Sequence, residues 1–324
     1  MLPQSPDPEE LNRRIAAFRR TGDPAEMWPG LREQERAAAA AELARVAALV
    51  LSGATSVSVD PAGAHVAYAL HIASHVTGVG PLFGAWAERG LVTIPAPGVA
   101  AHFAAQIAHS RRRAIRMERE LVPALDALAA GKVRAVVLKG FHTARTYFAE
   151  PAERRMADVD LWVAPDELDR AEAALTAAGF VARTRALRPY RRDWIGPTAD
   201  GVVRSLEYSH EGNPWVIELH GTLDRIFHVG AVARFDEERA AIAAWSTAGR
   251  TLLIQRQPLL LLTLASHCSQ ELGGSRLLRL VEIVNVVRAD AATGRLDWDE
   301  AIAMMRRTGS SRFVFPAFAL AEQL

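Results

Sequence analysis

The stretch Met156-Ala-Asp-Val-Asp-Leu-Trp-Val163 constrains this chain more than any other. Its apolar and polar positions alternate with period two, so it reads as a β-strand. Ala157, Val159, Leu161 and Val163 share one face and Asp158 and Asp160 the other. A strand of this kind needs a sheet whose apolar face is covered by helices and whose other face carries two carboxylates roughly 6–7 Å apart along the strand. Held close, two such acids repel each other and lose hydration, an arrangement that a cation relieves. The plain alternative is a D-x-D pair on a solvated edge strand.

The rest of the chain sorts around that strand. Residues 1–130 read as an alanine-rich helical region. Asp7-Pro8-Glu9-Glu10 is a helix start, a second helix runs over Leu31 to Leu51, and one long helix runs from Gly98 to about Ala130. Residues 131–233 read as a mixed α/β core. Val133 to Leu138 is a short apolar strand ended by Lys139-Gly140, and Phe141 to Phe148 is helical. Pro165-Asp166-Glu167 opens a helix closed by Gly179. Val202 to His210 and Trp215 to His220 are expected to be strands joined by a turn at Glu211-Gly-Asn-Pro214. From about Arg234 the pattern returns to helix through residue 324. Leu259 to Glu271 and Arg276 to Arg288 are apolar helices, and Asp297 caps a last one that Gly309 stops.

Composition narrows the class. With 50% hydrophobic and 23% charged residues the chain supports a sizeable core. A net charge of +1 gives no general attraction to nucleic acid or anionic membrane. Cys268 is the single cysteine, which excludes an intramolecular disulfide and fits a reducing compartment. The apolar run Pro258 to Ala265 is too short to span a bilayer, and the first residues carry no signal pattern, so a cytoplasmic protein without membrane contact is expected. Oligomeric state is not legible.

The acids have company. On Trp215 to His220, Glu218 and His220 share a face, and Glu218 on a strand neighbouring Asp158 and Asp160 completes an oxygen-rich set suited to Mg²⁺ or Mn²⁺. The strand ending at Lys139-Gly140 and opening a helix offers backbone N–H groups and a cation for polyphosphate, with Arg154 and Arg155 close by. Only two of the 38 basic residues are lysine, Lys132 and Lys139, which draws the eye to the second.

Other polar groups read more plainly. His71 and His75 are spaced i, i+4 on a helix with no third ligand in view, and His267 and Cys268 read as residues of an apolar helix, a site role being the weaker alternative for His267. His142 follows the Lys-Gly turn and is a weaker candidate for phosphate contact. Arg111, Arg112, Arg113, Arg116 and Arg119 read as a solvated helix face. Arg183, Arg185, Arg188, Arg191 and Arg192 form a denser run that could meet an anionic acceptor.

In order, Val136-Val-Leu-Lys-Gly140, Tyr147, Arg155-Met-Ala-Asp-Val-Asp-Leu-Trp-Val163, Ala174-Leu-Thr-Ala-Ala-Gly-Phe180 and Val216-Ile-Glu-Leu-His220 resemble the bacterial uncharacterised nucleotidyltransferase family. That family is a branch of the DNA polymerase β-like nucleotidyltransferase superfamily. The resemblance to the superfamily covers about ninety residues, 133–220, and the helical flanks, with His267 and Trp298, are laid out as in the family. It implies a small nucleotidyltransferase-type sheet between helical flanks, with Asp158, Asp160 and Glu218 as catalytic, metal-holding acids. Lys139, Gly140, Arg154, Arg155 and His220 would surround the nucleotide. The superfamily's usual Gly-Gly or Gly-Ser turn is here Lys139-Gly140, as in the family itself, and the gap from Gly140 to Asp158 is longer than in many relatives.

The implied activity is Mg²⁺-dependent transfer of an NMP group from an NTP donor to a hydroxyl. The acceptor would be a small molecule, peptide, protein or RNA, within specialised metabolism or in a toxin-like modification. A catalytically silent relative that binds nucleotide or a partner is the competing expectation, and a helical scaffold with an incidental D-x-D is a third.

Overall fold

The computed structural model describes residues 7–324 except 61–63, 184–190, 198, 208, 228–229, 240, 248 and 271–276. The first helix, α1 (Pro8–Thr21), begins where sequence places it: the Asp7 side chain accepts from the Glu9 and Glu10 amides and Pro8 takes the first turn. It is followed by α2 (Pro24–Met27), α3 (Glu33–Leu51), β1 (Val57–Ser58), α4 (Ala64–Thr77), α5 (Gly80–Glu88), β2 (Val92–Thr93) and α6 (Pro97–Ala130). β1 and β2 form a small parallel pair. Leu43, Val46, Leu70, Phe83 and Phe103 lie in the core of this region.

At 34 residues, or about 50 Å, α6 outlasts the helical region it begins in. Its first half, through Val99 and Phe103, belongs to the N-terminal core. Its second half, through Met117, Leu121, Ala124 and Leu128, packs against the central sheet.

The sheet is built from β3 (Val136–Val137), β4 (Asp158–Trp162), β5 (Val181–Ala182), β6 (Arg191–Ile195) and β7 (Val216–His220), with α7 (Lys139–Thr146) and α8 (Leu168–Ala177) between them. After a separate small ribbon, β8 (Arg225–Ile226) and β9 (Val232–Ala233), come β10 (Ile242–Thr247) and β11 (Arg250–Gln255). Strand order is β10-β11-β3-β4-β7-β6-β5. The β11–β3 and β4–β7 pairs are parallel and the rest antiparallel. The chain ends in α9 (Leu259–Gln270), α10 (Leu277–Ala292), α11 (Trp298–Arg307) and α12 (Ser311–Ala321). The fold is thus mixed α/β, with helices before and after a mixed sheet. Among the described residues no helix is long and apolar enough to cross a membrane.

Three differences from the sequence reading have physical causes. The described part of Val202 to His210 is not a strand. The Asn213 side chain takes over the backbone there: its Oδ1 accepts from the Arg204 and Ser205 amides at 2.8 and 3.0 Å, and its Nδ2 donates to the Ser205 and Glu207 carbonyls at 2.8 Å. The antiparallel neighbour of β7 is instead β6.

The second difference is the β10–β11 hairpin, where helix was expected. Trp245, Thr247, Thr251 and Ile254 favour strand, and β11 finds a parallel partner in β3. The sheet therefore draws strands from beyond residue 233. Third, the strand before Lys139 is short, and α7 starts at Lys139 rather than Phe141. Glu271 and Arg276, the expected ends of the two apolar helices, lie outside the described residues.

Candidate active site

The period of β4 decides which side chains meet. Val159 and Leu161 are fully buried beneath α6 and α8, and truncating such a leucine costs about 2–5 kcal/mol. That anchoring turns Asp158 and Asp160 to the opposite face. The parallel register sets Asp160 beside Glu218 and Trp162 beside His220. Asp193 on β6 flanks Glu218 from the other side. The Leu138 amide donates to the Asp160 carbonyl at 3.0 Å, which brings the end of β3 and the start of α7 to the same place.

One donor atom each from Asp160, Glu218 and His220 lies within 4.8 Å of the others. His220 Nε2 is 2.9 Å from Asp160 Oδ1 and 3.6 Å from Glu218 Oε2. Lys139 Nζ is 3.0 Å from the same Asp160 oxygen and 3.2 Å from His267 Nδ1. Arg191 donates from Nη1 to Glu218 Oε2 at 3.0 Å and from Nη2 to Asp193 Oδ2 at 3.3 Å. Lys139 has a positive φ of 20°, at the position where the resembled superfamily carries glycine.

The two aspartates titrate in opposite directions. Burial raises the Asp158 carboxyl to about 6, and the Asp160 and Glu218 charges add to the effect. Burial alone would also raise Asp160, but the Lys139 ammonium and the His220 ring outweigh it and hold Asp160 well below the carboxylate range. Asp158 is half-buried and has no side-chain hydrogen bond or ion pair among the described residues; it lies outside the converging group of three. His267 is pushed well below its ordinary value by burial first and then by Lys139, so it meets the ammonium as a neutral acceptor.

The remaining expected residues are placed differently from one another. Arg154 is held in a bidentate pair with Glu282 of α10, at 2.7 and 3.0 Å, and Thr143 donates to the same carboxylate. Gly140 is where this arginine passes: a Cβ there would stand 2.9 Å from Arg154 Nη1. Arg155 reaches the other way and donates to the His75 carbonyl at 2.6 Å. His142 is buried among Tyr147 and Trp245.

Of the arginine run, Arg191 joins the site, Arg192 lies 3.6 Å from Glu172, and Arg185 and Arg188 lie outside the described residues. Cys268 is a buried core residue.

Two neighbours, Asp193 and Glu282, were not singled out from the sequence, yet they touch the site or its immediate support. Arg191 and His267, read there as a member of a basic run and as a helix histidine, reach it too. Arg113, expected on a solvated face, is buried. It donates to the carbonyls of Met156 (2.9 Å), Asn213 (2.7 Å) and Pro214 (3.0 Å), tying together the segments that lead into β4 and β7. Burial pulls its guanidinium down to about 10. A triple-arginine run hides which member turns inward, but a lone glutamate amid Leu277 to Val287 was a readable signal for Glu282.

The donor set fits a hard divalent cation. Asp158, Asp160 and Glu218 offer carboxylate oxygens, and Asp158 feels the Asp160 and Glu218 charges with no hydrogen bond or ion pair of its own among the described residues. Lys139 and Arg191 now supply the neutralising charge for Asp160 and Glu218.

The profile of the uncharacterised nucleotidyltransferase family matches residues 62–324. No curated protein matches the chain. Among solved structures, a lincosamide antibiotic adenylyltransferase, LnuA, with lincomycin bound, is 16% identical, with a TM-score of 0.30 over 45% of this chain and 84% of that one. An antigenic nucleotidyltransferase-like protein from Paracoccidioides brasiliensis is 13% identical, with a TM-score of 0.33 over 52% of this chain and 75% of that one. With well over half of its length matched, and the matched part carrying the acids of β4 and β7, this chain belongs to the uncharacterised nucleotidyltransferase family and is a nucleotidyltransferase.

Proposed function

We propose that the protein transfers an NMP group from an NTP to a hydroxyl, using Asp158, Asp160 and Glu218 to hold Mg²⁺ or Mn²⁺. The observation that carries this reading is the register of β4 and β7, which sets Asp160 beside Glu218 with Asp158 two residues away on the same strand face. The divalent ion, when bound, supplies charge neutralisation at the reacting phosphate. The NTP phosphates lie beside Lys139 and the start of α7, where Lys139 neutralises charge developing on the departing pyrophosphate. His220 orients Asp160 through the contact at 2.9 Å. Glu218, once Arg191 releases it, takes the proton of the acceptor hydroxyl. The phosphorus–oxygen bond to the acceptor forms as the bond to pyrophosphate breaks.

A cavity of about 400 Å³ next to Ala157 suits the acceptor. Phe18, Trp28, Val76 and Pro214 give it apolar walls and Arg19 a charge. This supports a small molecule or peptide segment with an apolar body.

A second reading rests on one observation. Lys139 and Arg191 already occupy oxygens of Asp160 and Glu218, as they would in a protein that binds nucleotide without turning it over. Thermal stability with each of the four NTPs, with and without Mg²⁺, separates the two when paired with pyrophosphate release. A metal-dependent shift for one NTP, lost in an Asp158→Ala/Asp160→Ala variant and accompanied by turnover on acceptor addition, is expected. A shift that needs no metal, without turnover under any condition, would establish the silent reading.

A further inference from the structure

Sequence offered His71 and His75 as an i, i+4 pair lacking a third ligand. The fold supplies one. α6 packs against α4 and brings His102 to them, so that one ring nitrogen of each of the three lies within 4.8 Å of the others. His71 stacks on His102 at 3.6 Å between centroids, and His75 stands edge-on to them at 4.7 and 5.2 Å.

His75 and His102 are buried, at 5% and 9% exposure, and His71 is half-buried. Nδ1 of His71 is nonetheless a buried nitrogen with no hydrogen-bond partner among the described residues. His102 Nε2 faces Ser74 Oγ at 3.2 Å, and Gln106 donates to that hydroxyl at 2.8 Å and also lies against the His102 ring. These are neutral groups; Arg155, on the carbonyl of His75, is the cation that faces the cluster. Burial keeps the rings uncharged, with His71 pulled down to about 4 and the other two well below their ordinary value.

We propose that His71, His75 and His102 form a binding site for a first-row transition metal ion, Zn²⁺ being the type case, separate from the carboxylate site. Three neutral imidazoles are the donor set that zinc accepts when it keeps a fourth position for water or an anion. Imidazole nitrogen also discriminates against Mg²⁺, which the carboxylates prefer. Coordination gives the stranded Nδ1 or its ring partner a use, and Ser74 and Gln106 supply outer hydrogen bonds that fix ring orientation. Zinc–nitrogen distances near 2.0 Å require ligand nitrogens about 3.3 Å apart, so the stacked His71 and His102 rings turn as the ion enters.

The site has a structural context. His75 lines the cavity beside Ala157 together with Arg155, so the ion and the acceptor cavity share a wall. The proposal does not depend on which nucleotide or acceptor is used.

The test is titration of metal-free full-length protein with Co²⁺, read by the visible absorption of the bound ion, and with Zn²⁺ in competition with a chromogenic chelator. One equivalent bound per chain is expected, with apparent affinity at least a hundredfold weaker in His71→Gln and in His102→Gln. His71→Cys, which replaces one ligand by another, retains binding and guards against misreading a folding defect. The Asp158→Ala/Asp160→Ala variant keeps its Zn²⁺, so failure here and failure of the nucleotidyl-transfer reading are distinguishable. Absence of Co²⁺ and Zn²⁺ uptake at micromolar concentration, or uptake indifferent to His71→Gln and His102→Gln, overturns the site.

Discussion

Lys139 closes an ion pair on Asp160 at 3.0 Å, and both side chains are almost withdrawn from solvent, at 11% and 3% exposure. The pair sets two demands against each other. The acid needs a cation to remain ionised inside the protein, and to hold a metal as proposed it must exchange that cation for another.

Asp160→Asn keeps the shape of the side chain and removes the charge. Nucleotidyl transfer is expected to fall by about a hundredfold or more, since one preorganised electrostatic contact at a reacting centre is worth that much. Pyrophosphate release, normalised to folded protein, measures it. Activity within threefold of wild type would remove Asp160 from the catalytic set.

Asp158→Asn should lower activity and raise stability at once. The folded-state carboxyl is pushed up to about 6 from an ordinary 3.8. The folded protein therefore holds this proton more tightly than the unfolded chain, and stability is lost as pH rises from about 4 to 6. At pH 7 the ionised acid opposes folding by about 1–3 kcal/mol. Asparagine should recover that amount in urea unfolding at pH 7 and recover almost nothing at pH 4. An equal gain at both pH values would show that charge is not the cause.

Arg154 and Glu282 form a buried bidentate pair between the segment before β4 and α10. Removing one partner strands the other, so Glu282→Ala and Arg154→Ala should each destabilise by about 3–5 kcal/mol. The double variant should be far less destabilised than the sum of the two. Additivity in denaturant unfolding would mean that the two charges do not depend on one another.

His142 gives a pH signature away from the site. Burial holds its ring at about 4 rather than 6.5, and its Nδ1 has no hydrogen-bond partner among the described residues. The unfolded chain gains a proton below pH 6.5 that the folded chain refuses until about 4. Stability should therefore fall on acidification through that window, by about 1.4 kcal/mol per pH unit for this ring. Other buried histidines add to the wild-type slope, so the measured quantity is the difference from His142→Phe. An identical slope in the variant would show that His142 carries its proton in the folded state.

Strand periodicity made the centre of the site legible, because a period of two says which residues share a face without any knowledge of the fold. Asp160, Glu218 and His220 meet as that period requires. Partners contributed across the sheet or from distant helices were not legible. Arg191 looked like one member of a basic run, and only pairing of β6 with β7 sets it against Glu218. His102 is 27 positions beyond His75, on another helix, and nothing local announces it as a third imidazole. The misread strand at Val202 to His210 had acceptable strand residues; what defeated it was one side chain, Asn213, satisfying the backbone that a ladder would have used.

Helix α10 lies in two cores. Leu277, Leu278 and Val281 belong to the N-terminal one, Ile283, Val284 and Val286 to the C-terminal one, and between them Glu282 grips Arg154. Neither end of the molecule can therefore open without loosening the grip beside the acids of β4 and β7. The protein should melt in one transition, with the amides of α10 among the last to exchange with solvent, and inactivation should coincide with unfolding instead of preceding it.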